Sequence, residues 1–337
     1  MIAKELYERY IGLTLLHDLE NEEGTLLLKK GTVLSESVLK RLNIPVERLV
    51  YTLTRSSTKH EQVHLMEGAA EEIKTIFQNF QKDKNTLTQI ESTVLPTVEH
   101  LAREEKLSIL LVGMHDKDDY TYRHNIGVAI VASMLARWLK YSEEEIELIT
   151  LGGLLHDIGK LHVSDYVLTK PGALTNEEYK AIQMHTTFGY DILKKDSTYP
   201  EAICLMALEH HERENGTGYP HQKHADQIHP FSKIIAIADV FHAMTSDRVY
   251  RKGHALYTVL KQIKDDAFGK LEPTFVSIFI QKFMELSIGN YAELNNGAIV
   301  KIMFIFPYDP INPLVRLSDE LIELSKSDLY ITRLIAE

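Results

Sequence analysis

The chain has 337 residues, 44% of them hydrophobic, and a formal net charge of −11 at pH 7. This length exceeds the usual size of one domain, so we expect a core domain with one or two smaller modules. The acidic balance excludes general affinity for nucleic acids or anionic membranes, although a local basic pocket is compatible with it. An anionic substrate would therefore need a metal ion or a few well-placed cations.

The cysteine count and the apolar runs restrict the cellular setting. Cys204 is the only cysteine, which excludes an internal disulfide and a cysteine-based metal cluster. The longest apolar run, residues 126–136, is far shorter than the roughly 18 to 20 residues that a membrane helix requires. Glu5 and Glu8 stand where a secretory signal would be basic and then apolar. We therefore predict a cytoplasmic protein that does not insert into a membrane.

The first segment contains short apolar runs separated by turn residues. The turn sequence N-E-E-G at residues 21–24 lies between two leucine-rich runs, a pattern typical of a β-hairpin. Residues 35–42 have the pattern of a short helix, and residues 49–53 that of a strand. We predict a small mixed α/β module over residues 1–56.

Residues 57–112 are more polar and have helical periodicity. Ile73, Ile76, Phe77 and Phe80 form one apolar stripe on the predicted helix. The segment either packs on the main domain or acts as a signalling helix that mediates a homodimer.

Residues 113–286 are predicted to be the main domain and to be helical almost throughout. Capping-box patterns at residues 142–145 and 175–178 each open an amphipathic helix. We expect the first helix to end at the H-D pair of residues 156–157. We expect the second to run from Thr175 to about Lys194 and to carry His185 in its middle.

Residues 287–337 change character again. A β-prone run at residues 298–306 follows an N-N-G turn signal, and Pro307, Pro310 and Pro313 then interrupt it. We predict a terminal hairpin or small sheet. The fold class is therefore mainly α, with a helical bundle, a small N-terminal mixed α/β module and a short β-rich C-terminal tail.

The H-D-I-G-K stretch at residues 156–160 combines an imidazole, a carboxylate and an ammonium group. On a helix, Lys160 would lie one turn beyond His156, on the same face. A carboxylate has two oxygens and can bridge two cations, so Asp157 is a natural pivot for a two-metal site. Taken alone, the pair also fits a structural role in which His156 bonds a neighbouring carbonyl with Asp157 as its partner.

Further residues of metal-ligand type follow in order along the chain. They are His124, His185, His210, His211 and Asp239. Each lies in or beside a helix rich in apolar residues, where an unpaired ionisable group would be costly. Imidazole and carboxylate ligands without a thiolate suit iron, manganese, zinc, nickel or cobalt. For Asp239, a buried hydrogen-bonded carboxylate is the alternative.

Several motifs stand in order between residues 120 and 251. They are Y-T-Y-R-H at 120–124, L-L-H-D-I-G-K at 154–160, K-P-G-A-L-T-N-E-E at 170–178, His185, H-H-E-R-E-N-G-T-G-Y-P at 210–220, and Asp239 leading to D-R-V-Y-R at 247–251. This series resembles the HD-GYP family, the bacterial phosphodiesterases of cyclic di-GMP within the HD phosphohydrolase superfamily. The resemblance implies a helical HD-domain bundle for residues 113–286.

The resemblance also implies two divalent metal ions, with iron or manganese as the metal. The implied ligands of the first ion are His124, His156, Asp157 and Asp239. Asp157 would bridge to the second ion, whose shell would be completed by His185, His210 and His211. Some family members hold a third ion with a glutamate at the position that Tyr120 occupies here, so we expect two.

The activity implied by the resemblance is hydrolysis of cyclic di-GMP to pGpG, with further hydrolysis to GMP left open. A hydroxide that bridges the two metals would attack phosphorus in line. Asp157 and Lys160 are the predicted catalytic residues. For Lys160, a solvated lysine at a helix end is the alternative.

The residues predicted to bind substrate are Lys160, Gly218, Tyr219, Arg248 and Arg251. Guanidinium groups suit contacts with phosphate, and the G-Y-P signature lies close to substrate in the family. The alternatives are a solvated surface pair for the arginines and a packing role for Tyr219.

Two positions depart from the family pattern. Asn215 stands where an aspartate is usual, and His242 stands where an aspartate usually follows the residue equivalent to Asp239 by three positions. His242 could bind metal, orient a neighbouring group or reduce activity. Alternative functions are hydrolysis of another cyclic dinucleotide, such as cyclic GMP-AMP, and a non-catalytic cyclic di-GMP receptor.

Overall fold

The computed structural model describes most of the chain from residue 57 onward and short pieces before it. The described residues are 19–20, 26–29, 32, 35, 37–38, 57–80, 87–106, 109, 120–170, 172–195, 199–246 and 254–335. Most of the predicted module over residues 1–56, the strand at 49–53, and the two arginines Arg248 and Arg251 lie outside this part of the chain.

Two short strands are described near the N-terminus. Strand β1 (Leu19–Glu20) pairs antiparallel with β2 (Leu26–Leu28), so the predicted hairpin around N-E-E-G is confirmed. Residues 37–38 are helical, within the predicted short helix, and the Val38 N–H donates to Ser35 Oγ at 3.3 Å.

Helices dominate the described residues between positions 57 and 285, as predicted. Those in the described residues are α1 (Ser57–Phe80), α2 (Gln89–Thr93), α3 (Leu95–Arg103), α4 (Tyr120–Trp138), α5 (Glu143–Leu155), α6 (Asp165–Leu168), α7 (Asn176–Gln183), α8 (His185–Lys195), α9 (Glu201–Glu209), α10 (Pro230–Thr245), α11 (Leu256–Asp266) and α12 (Pro273–Glu285). Both predicted capping boxes are present, at the starts of α5 and α7. None of the described helices is both long and apolar enough to cross a bilayer.

The prediction of one helix from Thr175 to about Lys194 is wrong. Helix α7 ends at Gln183 and α8 begins at His185, so this histidine opens a helix instead of occupying the middle of one. The imidazole of His185 bonds through Nδ1 to the Ile182 carbonyl at 2.7 Å, in the last turn of α7. The break therefore fixes the direction of the His185 ring.

Helices α1 and α3 pack against α4, which confirms that the segment after residue 56 docks on the main helical region. Ile73, Ile76 and Phe77 of the predicted stripe are buried, and Phe77 meets Tyr122 edge to face with ring centroids 6.1 Å apart. Homodimerisation through this segment stays a prediction.

The C-terminal strands form the small sheet that the sequence predicts. They are β3 (Tyr291–Leu294), β4 (Ile299–Phe306), β5 (Asp309–Leu317), β6 (Glu320–Glu323) and β7 (Ile331–Ile335), arranged antiparallel in the order β6-β5-β4-β3-β7. Residues from the docked helices, the main helical region and this sheet share one hydrophobic core. The division at residues 1–56, 57–112, 113–286 and 287–337 stays a prediction.

The prolines near the C-terminus interrupt the strands less than predicted. Pro307 lies in the turn after β4, whereas Pro310 and Pro313 lie inside β5. Strand β6 pairs only with residues 314–317 of β5, so neither of these prolines faces it. A proline has no backbone N–H to donate to a neighbouring strand. Both prolines lie in the part of β5 that does not pair with β6.

Close contact between α4 and α5 depends on a glycine. A Cβ on Gly153 would lie 2.7 Å from the Ala129 Cα, so Gly153→Ala should lower the free energy of unfolding by about 1–3 kcal/mol through overpacking. A Cβ on Gly68 in α1 would meet nothing within 4 Å, so Gly68→Ala should raise it by up to about 1 kcal/mol. Urea unfolding measures both free energies. If Gly153→Ala and Gly68→Ala changed the free energy of unfolding in the same direction, the close packing of α4 and α5 at Gly153 would be contradicted.

Candidate metal centre

The seven predicted ligands come from five places in the chain and meet at one site. His124 lies on α4, the H-D pair follows α5, His185 opens α8, the histidine doublet follows α9, and Asp239 lies on α10. Two groups of potential ligands form, one of His124, His156 and Asp157 and one of His185, His210 and His211. Within each group the candidate ligand atoms lie within 4.8 Å of one another.

Asp157 lies between the two groups. Its Oδ2 atom is 3.4 Å from His156 Nε2 and 3.9 Å from His124 Nε2, whereas its Oδ1 atom is 3.4 Å from His185 Nε2. The carboxylate thus presents one oxygen to each group, an arrangement that allows it to bridge two cations.

Asp239 spans the same two groups from α10. Its Oδ1 atom is 3.1 Å from His124 Nε2, and its Oδ2 atom is 3.8 Å from His211 Nδ1. The carboxylate is buried and flanked by the buried side chains of Ile235, Ile237 and Phe241. A second carboxylate therefore connects the groups, a feature that the sequence does not reveal.

The H-D pair lies at a turn and not within a helix, which corrects the prediction that His156 and Lys160 share one helical face. Helix α5 ends at Leu155, and a 3₁₀ turn over Ile158–His162 follows. A Cβ on Gly159 would lie 1.9 Å from the His185 carbonyl oxygen. Because glycine has no Cβ, the turn can approach the start of α8 and bring Asp157 beside His185.

Backbone carbonyls determine the tautomer of three histidines. His156, His185 and His210 donate from Nδ1 to the carbonyl oxygens of Gly153, Ile182 and Ala207, at 2.8, 2.7 and 3.0 Å respectively. A carbonyl oxygen only accepts, so each Nδ1 carries the hydrogen and each Nε2 presents a lone pair. All three lone pairs are thereby prepared to accept a cation or a proton.

Two of these lone pairs face each other in the buried interior. The Nε2 atoms of His185 and His210 are 3.2 Å apart. Within the described part of the chain, His156 Nε2 is buried and has no hydrogen-bond partner. Buried acceptors without donors are costly, and a cation near them removes that cost. The donor set therefore fits divalent metal ions of the kind that imidazole and carboxylate ligands bind.

Burial alters the pKa of the histidines. It holds the pKa of His210 and of His211 well below the ordinary value, and nearby imidazoles add to the effect on His210. Burial also lowers the pKa of His124 and His185. For His156 burial acts in the same direction, but the charges of Asp157 and Asp239 outweigh it and raise the pKa.

The carboxylates are held in the ionised form. Burial would raise the pKa of Asp157, but the positive charges of Lys160 and His156 outweigh it and hold the pKa well below its usual range. The Lys160 ammonium contacts Asp157 Oδ2 directly. For Asp239, the hydrogen bond with His124 and the charge of His211 likewise overcome burial and lower the pKa.

The G-Y-P loop folds back onto the histidine doublet. The Tyr219 ring stacks on the His211 ring with centroids 4.7 Å apart, and the Tyr219 N–H donates to the His211 carbonyl at 3.2 Å. A Cβ on Gly218 would lie 2.4 Å from the Arg213 backbone nitrogen, so only glycine fits there. The Tyr219–Pro220 peptide is cis. Tyr219 therefore packs against a predicted ligand, and burial raises the pKa of its hydroxyl.

Two buried glutamates on either side of the doublet were not assigned a role by the sequence. Glu212 accepts the N–H groups of His221 and Lys223 at 2.6 and 3.0 Å. Glu209 accepts the Lys223 ammonium at 2.6 Å and the His229 N–H at 2.8 Å. Both anchor the segment that follows the G-Y-P signature. In the sequence, these two glutamates are recognisable as acidic residues at or just after the end of an apolar helix.

The two departures from the family pattern have distinct surroundings. Asn215 Oδ1 accepts the N–H and the hydroxyl of Thr217, at 3.1 and 2.6 Å, and so keeps the turn that an aspartate would make. His242 is buried on α10, and its Nδ1 atom lies 3.1 Å from His124 Nδ1. His242 therefore contacts the side of the His124 ring that faces away from Asp239.

A substitution at Glu212 tests how the loop is anchored. Glu212→Gln replaces one accepting oxygen by an NH₂ group that faces an N–H donor, so we expect a loss of about 2 kcal/mol in the free energy of unfolding. Amide exchange at His221 and Lys223 should become faster. Glu177→Gln, on an exposed side chain, is the control and should leave both measurements unchanged.

The lowered histidine pKa values predict how the metal-free protein responds to acid. Below pH about 6.5 the unfolded chain binds protons that the folded His210 and His211 do not bind. The free energy of unfolding should then fall as the pH drops, by up to about 1.4 kcal/mol per pH unit for each histidine. Urea unfolding with a chelator at pH 7.5, 6.5 and 5.5 measures this. His210→Asn should reduce the slope, and an unchanged slope would contradict the assignment.

The chain matches a known family and curated relatives. The family model described as HD domain matches residues 90–274, which is more than half of the chain. The cyclic di-GMP phosphodiesterase of Pseudomonas aeruginosa is 32% identical over 197 residues, which cover 58% of this chain and 47% of that protein. The 3′3′-cGAMP-specific phosphodiesterase 1 of Vibrio cholerae is 36% identical over 202 residues, covering 56% of this chain and 45% of that protein. The chain thus spans about half the length of these relatives.

A solved structure shares the fold. Bd1817, an HDG"Y"P protein from Bdellovibrio bacteriovorus, superposes with a TM-score of 0.54 at 16% identity, covering 79% of this chain and 94% of that chain. The similarity confirms the helical HD-domain bundle that the motifs imply. The chain belongs to the HD domain family, in its HD-GYP branch.

Proposed function

We propose that this chain is a metal-dependent phosphodiesterase that hydrolyses cyclic di-GMP to pGpG, with GMP as a further product to be tested. The observation that carries the proposal is the pair of facing lone pairs on His185 and His210, 3.2 Å apart. Asp157 connects His185 with the group around His124, and Asp239 connects His211 with the same group. Such a buried donor set supports a two-metal centre of the kind that cleaves phosphodiesters.

The proposed cofactors are two divalent ions, iron or manganese. The proposed ligands are His124, His156, Asp157, His185, His210, His211 and Asp239. When bound, the ions would supply Lewis-acid polarisation of the scissile phosphate and an activated water. The protein contributes preorganisation, because hydrogen bonds to backbone carbonyls already direct three Nε2 atoms inward.

Lys160 is proposed to neutralise the phosphate of the substrate. Its ammonium contacts Asp157 Oδ2, and a quarter of the side chain is exposed, so it lies between the carboxylate and solvent. A phosphate that approaches from solvent would therefore meet this positive charge first. Because Asp157 is proposed to bridge the ions, Lys160 and the metals would act on the same phosphate.

The G-Y-P loop is proposed to form one wall of the substrate site. Tyr219 stacks on His211 and limits the access of water to that ligand, while Gly218 allows the loop backbone to approach the doublet. Arg248 and Arg251, outside the described residues, are proposed as additional phosphate contacts. Homodimerisation, a cytoplasmic location and the absence of general nucleic-acid binding stay predictions.

A second candidate function is hydrolysis of 3′3′-cyclic GMP-AMP. The observation in its favour is the 36% identity with the Vibrio cholerae enzyme that is specific for this dinucleotide. The proposed metal centre would act on the phosphodiester of either substrate, so only turnover distinguishes them. The non-catalytic receptor is the remaining alternative.

The full chain, loaded with Mn²⁺ or anaerobically with Fe²⁺, should convert cyclic di-GMP to pGpG in a chromatographic assay, and elemental analysis should find two ions per chain. Asp157→Ala should lose both metal and turnover. Lys160→Met should keep the metal and lose turnover by roughly 10²–10³-fold, as expected for an electrostatic contact. Lys180→Met, on an exposed side chain of α7, is the matched control and should change neither.

The same assay decides among the alternatives. Faster turnover of 3′3′-cyclic GMP-AMP than of cyclic di-GMP would favour the second candidate. Tight binding of cyclic di-GMP without cleavage by the metal-loaded protein would favour the receptor. Unchanged metal content in Asp157→Ala would refute the proposed bridge.

A further inference from the structure

His124 differs from the other buried histidines in the group that faces its Nδ1 atom. In His156, His185 and His210 this atom donates to a backbone carbonyl, which can only accept. In His124 it lies 3.1 Å from Nδ1 of His242. An imidazole nitrogen either donates or accepts, depending on the tautomer. The direction of this hydrogen bond is therefore not fixed by the chemistry of the partner.

The neighbourhood of His242 holds its ring against His124. The side chain is buried, and Ser246 Oγ lies 3.2 Å from the same Nδ1 atom. On the other side, a Cβ on Gly127 would lie 1.9 Å from His242 Nε2. The ring thus occupies space that only a glycine in α4 leaves open. Its contact with His124 is part of the packing between α4 and α10.

Two hydrogen-bond arrangements are possible between the two Nδ1 atoms. In the first, His124 donates from Nδ1 to His242, and the Nε2 lone pair of His124 faces Asp239. In the second, His242 donates from Nδ1 to His124, and His124 donates from Nε2 to Asp239 Oδ1, 3.1 Å away. Both arrangements contain the same number of protons and differ only in tautomer.

Only the first arrangement is compatible with a metal ion on His124 Nε2, because a ligand nitrogen must present its lone pair. In the first arrangement, His124 Nε2 and Asp239 Oδ1 are two acceptors that face each other. Without metal the second arrangement is favoured, because His124 Nε2 then donates a hydrogen bond to this carboxylate. An aspartate at position 242 could only accept, and it would hold the hydrogen on His124 Nδ1. Histidine at this position therefore permits a tautomer that competes with metal binding.

We infer that His242 is a positioning residue that weakens the metal site at His124 by allowing this competing tautomer. The inference rests on the proposed metal centre. Partners behind a metal-binding histidine typically change metal affinity by 10–100-fold, so the effect is large enough to measure. The consequence is that the His124 ion binds less tightly than the same ion would with a carboxylate at position 242.

The first test measures Mn²⁺ affinity of the metal-free full chain by calorimetry. His242→Asp should tighten the weaker of the two binding steps by about 10-fold or more, and His242→Leu, which cannot accept, should weaken it by a similar factor. His242→Asn should stay near the unmodified protein, because an amide can present either its oxygen or its NH₂ group. An affinity of folded His242→Asp equal to or below that of the unmodified protein would overturn the inference.

The second test detects the tautomer without metal or substrate. In protein with ¹⁵N-labelled histidine, the nitrogen shifts of His124, assigned by comparison with His124→Gln, should show substantial hydrogen on Nε2. In His242→Asp the hydrogen should move to Nδ1. If His124 carries its hydrogen only on Nδ1 in the unmodified protein, the inference is wrong, whether or not His242→Asp folds. A failure of phosphodiesterase activity would leave this measurement unaffected, so the two proposals are tested separately.

Discussion

The structure depends on one constraint, which is that buried histidine nitrogens with lone pairs face one another at a single site. The His185 and His210 rings meet through two accepting nitrogens, and Asp157 and Asp239 add carboxylate oxygens at the same place. Such a cluster is unfavourable on its own, and the ammonium of Lys160 offsets part of the negative charge. The surrounding helices hold the cluster together. Backbone carbonyls of α5, α7 and α9 accept hydrogen bonds from Nδ1 of His156, His185 and His210, on the side of each ring opposite Nε2.

Glycines make this convergence possible. Gly159 lets the H-D turn contact the start of α8, Gly153 lets α5 approach α4, and Gly218 lets the loop return to the histidine doublet. At each position a Cβ would lie under 3.0 Å from backbone atoms of another segment. The short distances between the proposed ligands are therefore consequences of backbone packing, and buried glutamates then anchor the segment that follows.

Position 242 is occupied by a residue outside the proposed ligand set that contacts one member of that set. The three histidines that donate to carbonyls have one usable tautomer, whereas His124 has two because its partner is another imidazole. A resemblance based on ligands alone would treat these four histidines as equivalent. The contact across α4 and α10 distinguishes them, since an imidazole partner allows either nitrogen of His124 to carry the hydrogen.

The sequence by itself determined the residues of metal-ligand type, their order, both ends of α5 and the start of α7, because capping boxes, apolar periodicity and motif spacing are local properties. It correctly placed the small terminal sheet, and it offered docking on the main domain as one of two alternatives for the segment after residue 56. It did not show that α7 ends before His185, that Asp239 also spans both groups, or that Glu209 and Glu212 anchor the loop. Tertiary structure decided these features, because each depends on atoms brought together from segments distant in the chain, where spacing along the sequence carries no distance information.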